Sequence, residues 1–216
     1  MFYLTDKLEF PPAQSASEDG IVAVGGDLSP ERLILAYNSG IFPWFEEEDI
    51  ILWWSPDPRM VLYPEKLKIS SSMRKILKNN YFSITYNQNF KEVIQNCAAV
   101  KRSGQAGTWI TESMIKGYTA LHEMGLAVSV EVWKDKELVG GLYGIDLGHV
   151  FCGESMFSKV SNASKAAFIS LVKRLNGKGY KLVDCQVYTE HLESLGAEEI
   201  ARSEFLEILN GKDQRR

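Results

Sequence analysis

From about residue 61 onward, apolar residues fall alternately at helical and at strand spacing, and a chain that alternates in this way is restricted to an α/β architecture. Ser70–Lys78 reads as a short basic helix and Phe82–Tyr86 as a strand. Phe90, Val93, Ile94 and Cys97 keep helical spacing, as do Met114, Ile115, Tyr118 and Leu121. Val128, Val130 and Val132 alternate with Ser129, Glu131 and Trp133 as a strand, Glu137–Ile145 forms another, and a third begins at Gly148 and holds Val150, Phe151 and Cys152. The clearest helix runs from Asn162 to Leu175 and closes at the Gly177–Gly179 turn, before a strand over Lys181–Val187. Residues 1–60 are different in texture: Pro11, Pro12, Gly25, Gly26, Gly40, Pro43, Pro56 and Pro58 leave room for one good helix, with Ser29 as N-cap, Pro30 at its first position and Gly40 as its stop. The expected organisation is a small N-terminal domain over residues 1–60 and a larger α/β domain over residues 61–216.

With 45% hydrophobic residues the chain can bury a sizeable core, which excludes disordered and collagen-like classes. Cys97, Cys152 and Cys185 are odd in number and widely spaced, which disfavours a disulfide framework or a cysteine-rich zinc site and fits a reducing, cytoplasmic home. Met1–Phe10 carries Asp6, Lys7 and Glu9, unlike a signal peptide, and no run approaches the roughly 18 apolar residues of a membrane span. The net charge of −4 conceals a segregation: residues 1–65 hold 3 basic and 12 acidic side chains, residues 66–110 hold 8 basic and 1 acidic. Such a cationic island of net +7 can bind a phosphate backbone in an acidic protein, or be a solvated face. Three of the five tryptophans, Trp44, Trp53 and Trp54, lie within eleven residues.

Three constellations could carry chemistry. Gly140, Gly141 and Gly144 sit inside one strand, so the strand bulges or packs tightly, or something approaches its backbone closely, as where two strands splay to admit an acyl donor. Glu154 follows Phe151-Cys152-Gly153 among apolar residues; it is either paired structurally or held near a reacting amine, with desolvation raising its pKa in the second case. Asp184 and Gln186 flank Cys185, and residues two apart on a strand share a face, so the pair should project together while Cys185 faces away as a buried apolar residue. His122, His149 and His191 are isolated, no metal spacing occurs, and neither a GxxxxGK[ST] loop nor GxGxxG is present.

Ten strings, in order, resemble one family. They are Gly25-Gly26-Asp27-Leu28-Ser29, Gly40-Ile41-Phe42-Pro43-Trp44, Trp53 to Arg59, Thr108-Trp109-Ile110, Ser129 to Trp133, Val139 to Gly144, Gly153 to Ser158, Asn162-Ala163-Ser164-Lys165, Asp184-Cys185-Gln186 and Ser194-Leu195-Gly196-Ala197. Together they are similar to the bacterial leucyl/phenylalanyl-tRNA–protein transferases. The resemblance implies an N-acetyltransferase-like (GNAT-like) C-terminal domain behind the small N-terminal one. It also implies transfer of leucine, phenylalanine or, less readily, methionine from aminoacyl-tRNA to proteins beginning with Arg or Lys, which marks them for N-degron proteolysis, by a monomer without cofactor. Carried over residue by residue, Asp184 and Gln186 would hold and polarise the amine with Glu154 nearby. Leu142, Phe151, Met156, Phe168, Leu171, Leu175 and Val183 would line the aminoacyl pocket, and Trp44 and Trp109 would contact the terminal adenosine. Lys66, Lys68, Arg74, Lys75 and Lys78, from the island, would grip the tRNA backbone. Val128 departs from the pattern, standing where the family usually has histidine.

An aminoacyl ester is already activated, so the amine needs only deprotonation and alignment. Two other readings are an acyl-CoA-dependent N-acetyltransferase, for which Glu154 stands where phosphates would sit, and a non-catalytic RNA-binding module, which leaves Glu154, Asp184 and Gln186 unexplained.

Overall fold

The computed structural model describes residues 1–46, 50–100 and 110–211. In chain order its elements are β1 (Phe2–Leu4), β2 (Ile21–Gly25), α1 (Pro30–Asn38), β3 (Phe42–Pro43), β4 (Leu52–Trp54), β5 (Arg59–Leu62), α2 (Ser71–Lys78), β6 (Ser83–Tyr86), α3 (Phe90–Ala98), α4 (Glu112–Glu123), β7 (Ala127–Lys134), β8 (Glu137–Asp146), β9 (Val150–Ser158), α5 (Ala163–Gly177), β10 (Leu182–Gln186), α6 (Glu190–Ser194), β11 (Glu198–Ile200) and α7 (Arg202–Asn210). Four short strands make a sheet in the order β1-β2-β4-β3, and seven make the main sheet in the order β11-β5-β10-β9-β8-β7-β6.

The helices begin where their caps dictate. Ser29 Oγ accepts from Arg32 N ahead of Pro30, Ser70 Oγ accepts from Met73 N, and Thr111 Oγ1 accepts from Met114 N. The main sheet is covered on both faces, so its strands alternate between two cores. Val61, Tyr143, Cys152 and Leu182 belong to the core beneath α1, α3, α4 and α7, whereas Leu62, Leu142, Phe151 and Val183 belong to the core beneath α2 and α5. Double coverage also explains β7, where the residues between the valines are not solvent-facing: Ser129 and Glu131 are buried. The Glu131 carboxylate accepts Thr85 Oγ1 and Ser129 Oγ at 2.6 Å each and the backbone N–H groups of Gln88 and Asn89 at 3.4 Å, at the N-terminus of α3 where its charge is favoured.

The N-terminal segment packs closely on the larger domain. Strand β5 starts at Arg59, so Arg59 and Met60 belong to the main sheet rather than to the small unit expected over residues 1–60. Leu33, Tyr37, Phe42 and Trp53 share one core with Ile94, Met114, Leu121 and Phe205, each large side chain contributing about 1.5–3 kcal/mol on burial. Gly40 holds a left-handed φ of 75°, which favours glycine, and a Cβ there would lie 2.5 Å from Leu206 Cδ2, so α7 seats closely on this turn. Arg202 N donates to Asp57 Oδ1 at 3.0 Å and Arg202 Nη1 to Ser55 O at 2.6 Å, which ties the start of α7 to the same segment.

The three glycines of β8 serve packing. A Cβ on Gly140 would meet Ala163 at 2.5 Å, one on Gly141 would meet Val130 O at 2.7 Å, and one on Gly144 would meet Cys152 O at 2.2 Å, beside a register shift between Tyr143 and Gly144. The splaying of strands lies next door, in the parallel pair β9 and β10. They are in register only over Leu182↔Val150, Val183↔Phe151 and Asp184↔Cys152, and part beyond it. The opening therefore lies between β9 and β10 and not at the glycine-bearing strand β8 to which the sequence reading attached it.

Candidate active site

Where β9 and β10 part, a cavity of about 370 Å³ opens. Its apolar wall holds Leu142, Phe151, Met156, Phe168, Leu171 and Val183, all named from the sequence as pocket positions; Leu175, named with them, packs in the core behind that wall and does not line the cavity. The polar wall holds Glu154, Asp184 and Gln186. Phe42, Pro43 and Trp44 close it from the N-terminal segment, and Thr189, His191 and Leu192 from the start of α6. Trp44 is 37% exposed, tilted against Trp54 with ring centroids 5.6 Å apart, and its carbonyl accepts from Trp54 Nε1 at 2.6 Å. Trp109 lies outside the described residues.

The tip of β10 is not the regular strand that the sequence suggests. Asp184 pairs with Val61 and Gln186 with Met60, which leaves Cys185 as the extra residue of a bulge, and Gln186 takes a left-handed φ of 66°. A non-glycine residue there is strained by about 1–3 kcal/mol, held in place by its surroundings. Across the bulge Asp184 and Gln186 take different partners, and Cys185, packed against the core beneath α2 and α5, also lines the cavity. Burial raises the Cys185 thiol pKa, with the Asp184 charge adding to it, so the thiol stays neutral.

Asp184 points at Arg59. Its Oδ1 accepts Arg59 Nε at 2.8 Å and its Oδ2 accepts Arg59 Nη2 at 2.7 Å, both side chains being 1% exposed. The Arg59 guanidinium lies between the rings of Phe42 and Phe205, at 4.8 and 4.5 Å from their centroids. Asp184 Oδ1 also accepts Gln186 N at 3.0 Å, so the carboxylate orients the backbone of Gln186.

Gln186 is aimed by a different carboxylate. Its Nε2 donates to Glu154 Oε1 at 2.7 Å, while Tyr118 Oη donates to Glu154 Oε2 at 3.0 Å. Burial pushes the Glu154 carboxyl up to about 7, against the pull of the nearby Tyr37 hydroxyl and of hydrogen bonds from Tyr118 and Gln186. The site therefore offers an acid–base group poised near neutrality, and an amide whose oxygen is left to accept from a substrate N–H. Tyr37 and Tyr118 escaped the sequence reading because each occupies an inward helical position, where an aromatic residue reads as core.

Arg59 was equally unmarked, being the end of a turn-like Ser55-Pro56-Asp57-Pro58 run. Val128 is half-buried on β7 against the core beneath α5 and is not among the cavity residues. His122 Nδ1 bonds Ala127 O at 2.8 Å and His149 Nε2 bonds Leu209 O at 2.9 Å, both structural contacts.

In the cationic island, Arg74, Lys75 and Lys78 project from the exposed face of α2, whose other face buries Met73, and Lys68 is exposed beside it. Lys66 is also exposed but pairs with Glu198 and lies over the Tyr63 ring, so its charge is partly spent. A Cβ on Gly196 would meet Lys66 O at 2.4 Å, which places the Lys66–Lys68 segment against the end of α6, a helix whose start lines the cavity.

Comparison with known proteins assigns the chain to a family. Residues 61–210 match the leucyl/phenylalanyl-tRNA protein transferase family, and residues 26–57 match the N-terminal domain of the same transferases. The leucyl/phenylalanyl-tRNA–protein transferase of Flavobacterium johnsoniae is 65% identical over 98% of this chain and 100% of its own, and that of Syntrophobacter fumaroxidans is 54% identical over 97% and 89%. Among solved structures, a GCN5-related N-acetyltransferase-like protein from Streptococcus suis is 12% identical with a TM-score of 0.39, covering 74% of this chain and 59% of its own. This chain belongs to the leucyl/phenylalanyl-tRNA–protein transferase family and is an aminoacyltransferase that works from aminoacyl-tRNA onto proteins.

Proposed function

We propose that the chain transfers leucine, phenylalanine and, less readily, methionine to the N-terminus of proteins beginning with Arg or Lys, generating N-degrons. The observation that carries the chemistry is Glu154, tuned to about 7 at the polar end of an apolar cavity and held there by Gln186. An N-terminal amine has a pKa near 7.7–8.0, so acid and base are closely matched. The amine enters between Gln186 Oε1 and Glu154. It attacks the ester carbonyl as Glu154 takes its proton, the new C–N bond forms, the bond to the ribose oxygen breaks, and that oxygen leaves with a proton as the free hydroxyl. Asp184 and Arg59 hold the backbone of Gln186 throughout. The described cavity lining holds carboxylates and no Lys or Arg, which favours a cationic acceptor residue.

Leu142, Phe151, Met156, Phe168, Leu171 and Val183 receive the donor side chain, with Leu175 backing them. Met156 adapts to leucine or phenylalanine, and a β-branched donor is refused by shape. Trp44, with Trp109 by resemblance, stacks on the terminal adenosine for about 1–3 kcal/mol per base. One chain supplies every described wall, which supports action as a monomer, and the need for charged tRNA supports a cytoplasmic place. The deciding experiment incubates the protein with leucyl-tRNA, or with acetyl-CoA, and peptides beginning with Arg or Ala. Leucylated Arg peptide is expected; equal use of Ala and Arg peptides, or product from acetyl-CoA alone, would overturn the reading.

Lys68, Arg74, Lys75 and Lys78, with a smaller share from Lys66, grip tRNA phosphates and let one enzyme accept several tRNA species. Charge reversal at Arg74, Lys75 and Lys78 should weaken tRNA binding and flatten the log–log salt dependence, by somewhat under one unit of slope per lost contact. Turnover of an aminoacyl-adenosine, too small to reach α2, should be unchanged; equal impairment of both donors would show the island to be structural.

A further inference from the structure

Glu154 stands at the end of a buried chain of hydroxyls. Tyr118 Oη donates to Glu154 Oε2 at 3.0 Å, and Tyr37 Oη lies 2.5 Å from Tyr118 Oη. A hydroxyl has one proton to give, and Tyr118 gives its own to the carboxylate, so Tyr37 donates to Tyr118 and the chain runs from Tyr37 through Tyr118 to Glu154. Tyr37 is 2% exposed and Tyr118 is fully buried, and neither is among the cavity residues, so they reach the reaction only through Glu154. They come from opposite ends of the architecture: Tyr37 from α1 in the N-terminal segment, Tyr118 from α4 over the main sheet. α4 meets the start of α1 closely there, since a Cβ on Gly117 would lie 2.8 Å from Leu28 O, just before α1, and 3.0 Å from Leu33 Cδ1 on it.

We propose that Tyr37 and Tyr118 are positioning residues that keep Glu154 unprotonated and turned to the amine, so that the N-terminal segment sets the readiness of the transfer site. The proposal rests on Glu154 as the proton acceptor. Phenylalanine would fill the same space, so the hydroxyls need a reason, and a buried hydroxyl is tolerated only where it is hydrogen-bonded. Donation to a charged oxygen is stronger than donation to a neutral one, and successive donors in a chain polarise one another. Both effects favour the carboxylate over the carboxylic acid.

The other groups facing Glu154 divide by sign. Gln186 Nε2 donates to it and helps the tyrosines, whereas the Asp184 charge works against ionisation but is bound by Arg59. Cys152, on the same strand, is kept as the neutral thiol by burial. Tyr143 meets the Tyr118 ring edge-on at 5.5 Å. Removing the tyrosine donors leaves desolvation less opposed, so the carboxyl should hold its proton to higher pH.

The test follows the Glu154 carboxyl directly, by ¹³C NMR of protein labelled at the glutamate side-chain carboxyl, with Glu154→Gln giving the assignment. Its titration midpoint should rise in Tyr118→Phe and in Tyr37→Phe. In parallel, the ratio of turnover at pH 6.5 to turnover at pH 8.5, measured with aminoacyl-tRNA and an Arg peptide, should fall at least about threefold in Tyr118→Phe. An unchanged midpoint in both folded variants overturns the proposal. A midpoint that moves while the rate profile stays put upholds the hold of the tyrosines on the proton and instead refutes Glu154 as the acceptor in transfer. Should Tyr118→Phe fail to fold, Tyr37→Phe, one hydroxyl further from the carboxylate, carries the same comparison.

Discussion

Glu154→Gln should lower transfer turnover at pH 7 by at least about a hundredfold, the usual contribution of a general base, while aminoacyl-tRNA binding stays within a few-fold. The substitution keeps the size of the side chain and an oxygen for the Tyr118 hydroxyl, but its NH2 replaces the oxygen that accepts Gln186 Nε2, so Gln186 must turn its own oxygen toward it and the loss combines the missing proton acceptor with a re-aimed Gln186. Stability should move the other way. Burial raises the folded-state pKa from 4.5 to about 7, so between those values the folded protein binds the proton more tightly than the unfolded chain does. Stability from this group is therefore fully present below about pH 4.5 and is lost as the pH rises through 7. Glutamine has no such loss, and the melting temperature of the variant relative to the parent should become more favourable from pH 5 to pH 8. The ceiling on this gain is about 1–3 kcal/mol. Slower and, at alkaline pH, sturdier is the combination expected when a site trades stability for function. Near-normal turnover would remove Glu154 from the chemistry.

Local signals carried the fold far because both cores are built from regular elements. Ser29, Ser70 and Thr111 start their helices by capping, and the valines of β7 announce their strand, all from short-range rules. The site was legible only in part. Glu154, Asp184 and Gln186 are all on the cavity wall, but the bulge at Cys185 that gives Gln186 its left-handed backbone was not legible. A bulge is fixed by the strand alongside, and β5 lies more than a hundred residues away in the chain. Tyr37 and Tyr118 are 81 residues apart and meet Glu154 only through tertiary packing; on their own helices nothing distinguishes them from core aromatics. Arg59 was invisible for the same reason, since the two rings that sandwich it, Phe42 and Phe205, flank it at sequence distances no local pattern records.

The Arg59 and Asp184 pair gives the largest stability effect expected in this protein. Both side chains are out of water, so removing one partner strands a buried charge without its counter-ion. Arg59→Met or Asp184→Asn should each cost about 3–5 kcal/mol in denaturant unfolding. Replacing the pair by Met and Leu together removes both desolvation penalties along with the attraction, and should cost far less than the two single changes added, a coupling that a double-mutant cycle measures. Activity then separates two roles for Asp184. If it works by pinning the backbone of Gln186, Arg59→Met, at a temperature where it remains folded, should lower turnover at least about tenfold alongside Asp184→Asn, although Arg59 is not among the residues lining the cavity. Both losses should appear in kcat more than in KM, because the displaced group is one that orients the attacking amine. If Arg59→Met transfers normally while Asp184→Asn does not, Asp184 itself meets the substrate, and the bidentate pair holds the fold without aiming Gln186.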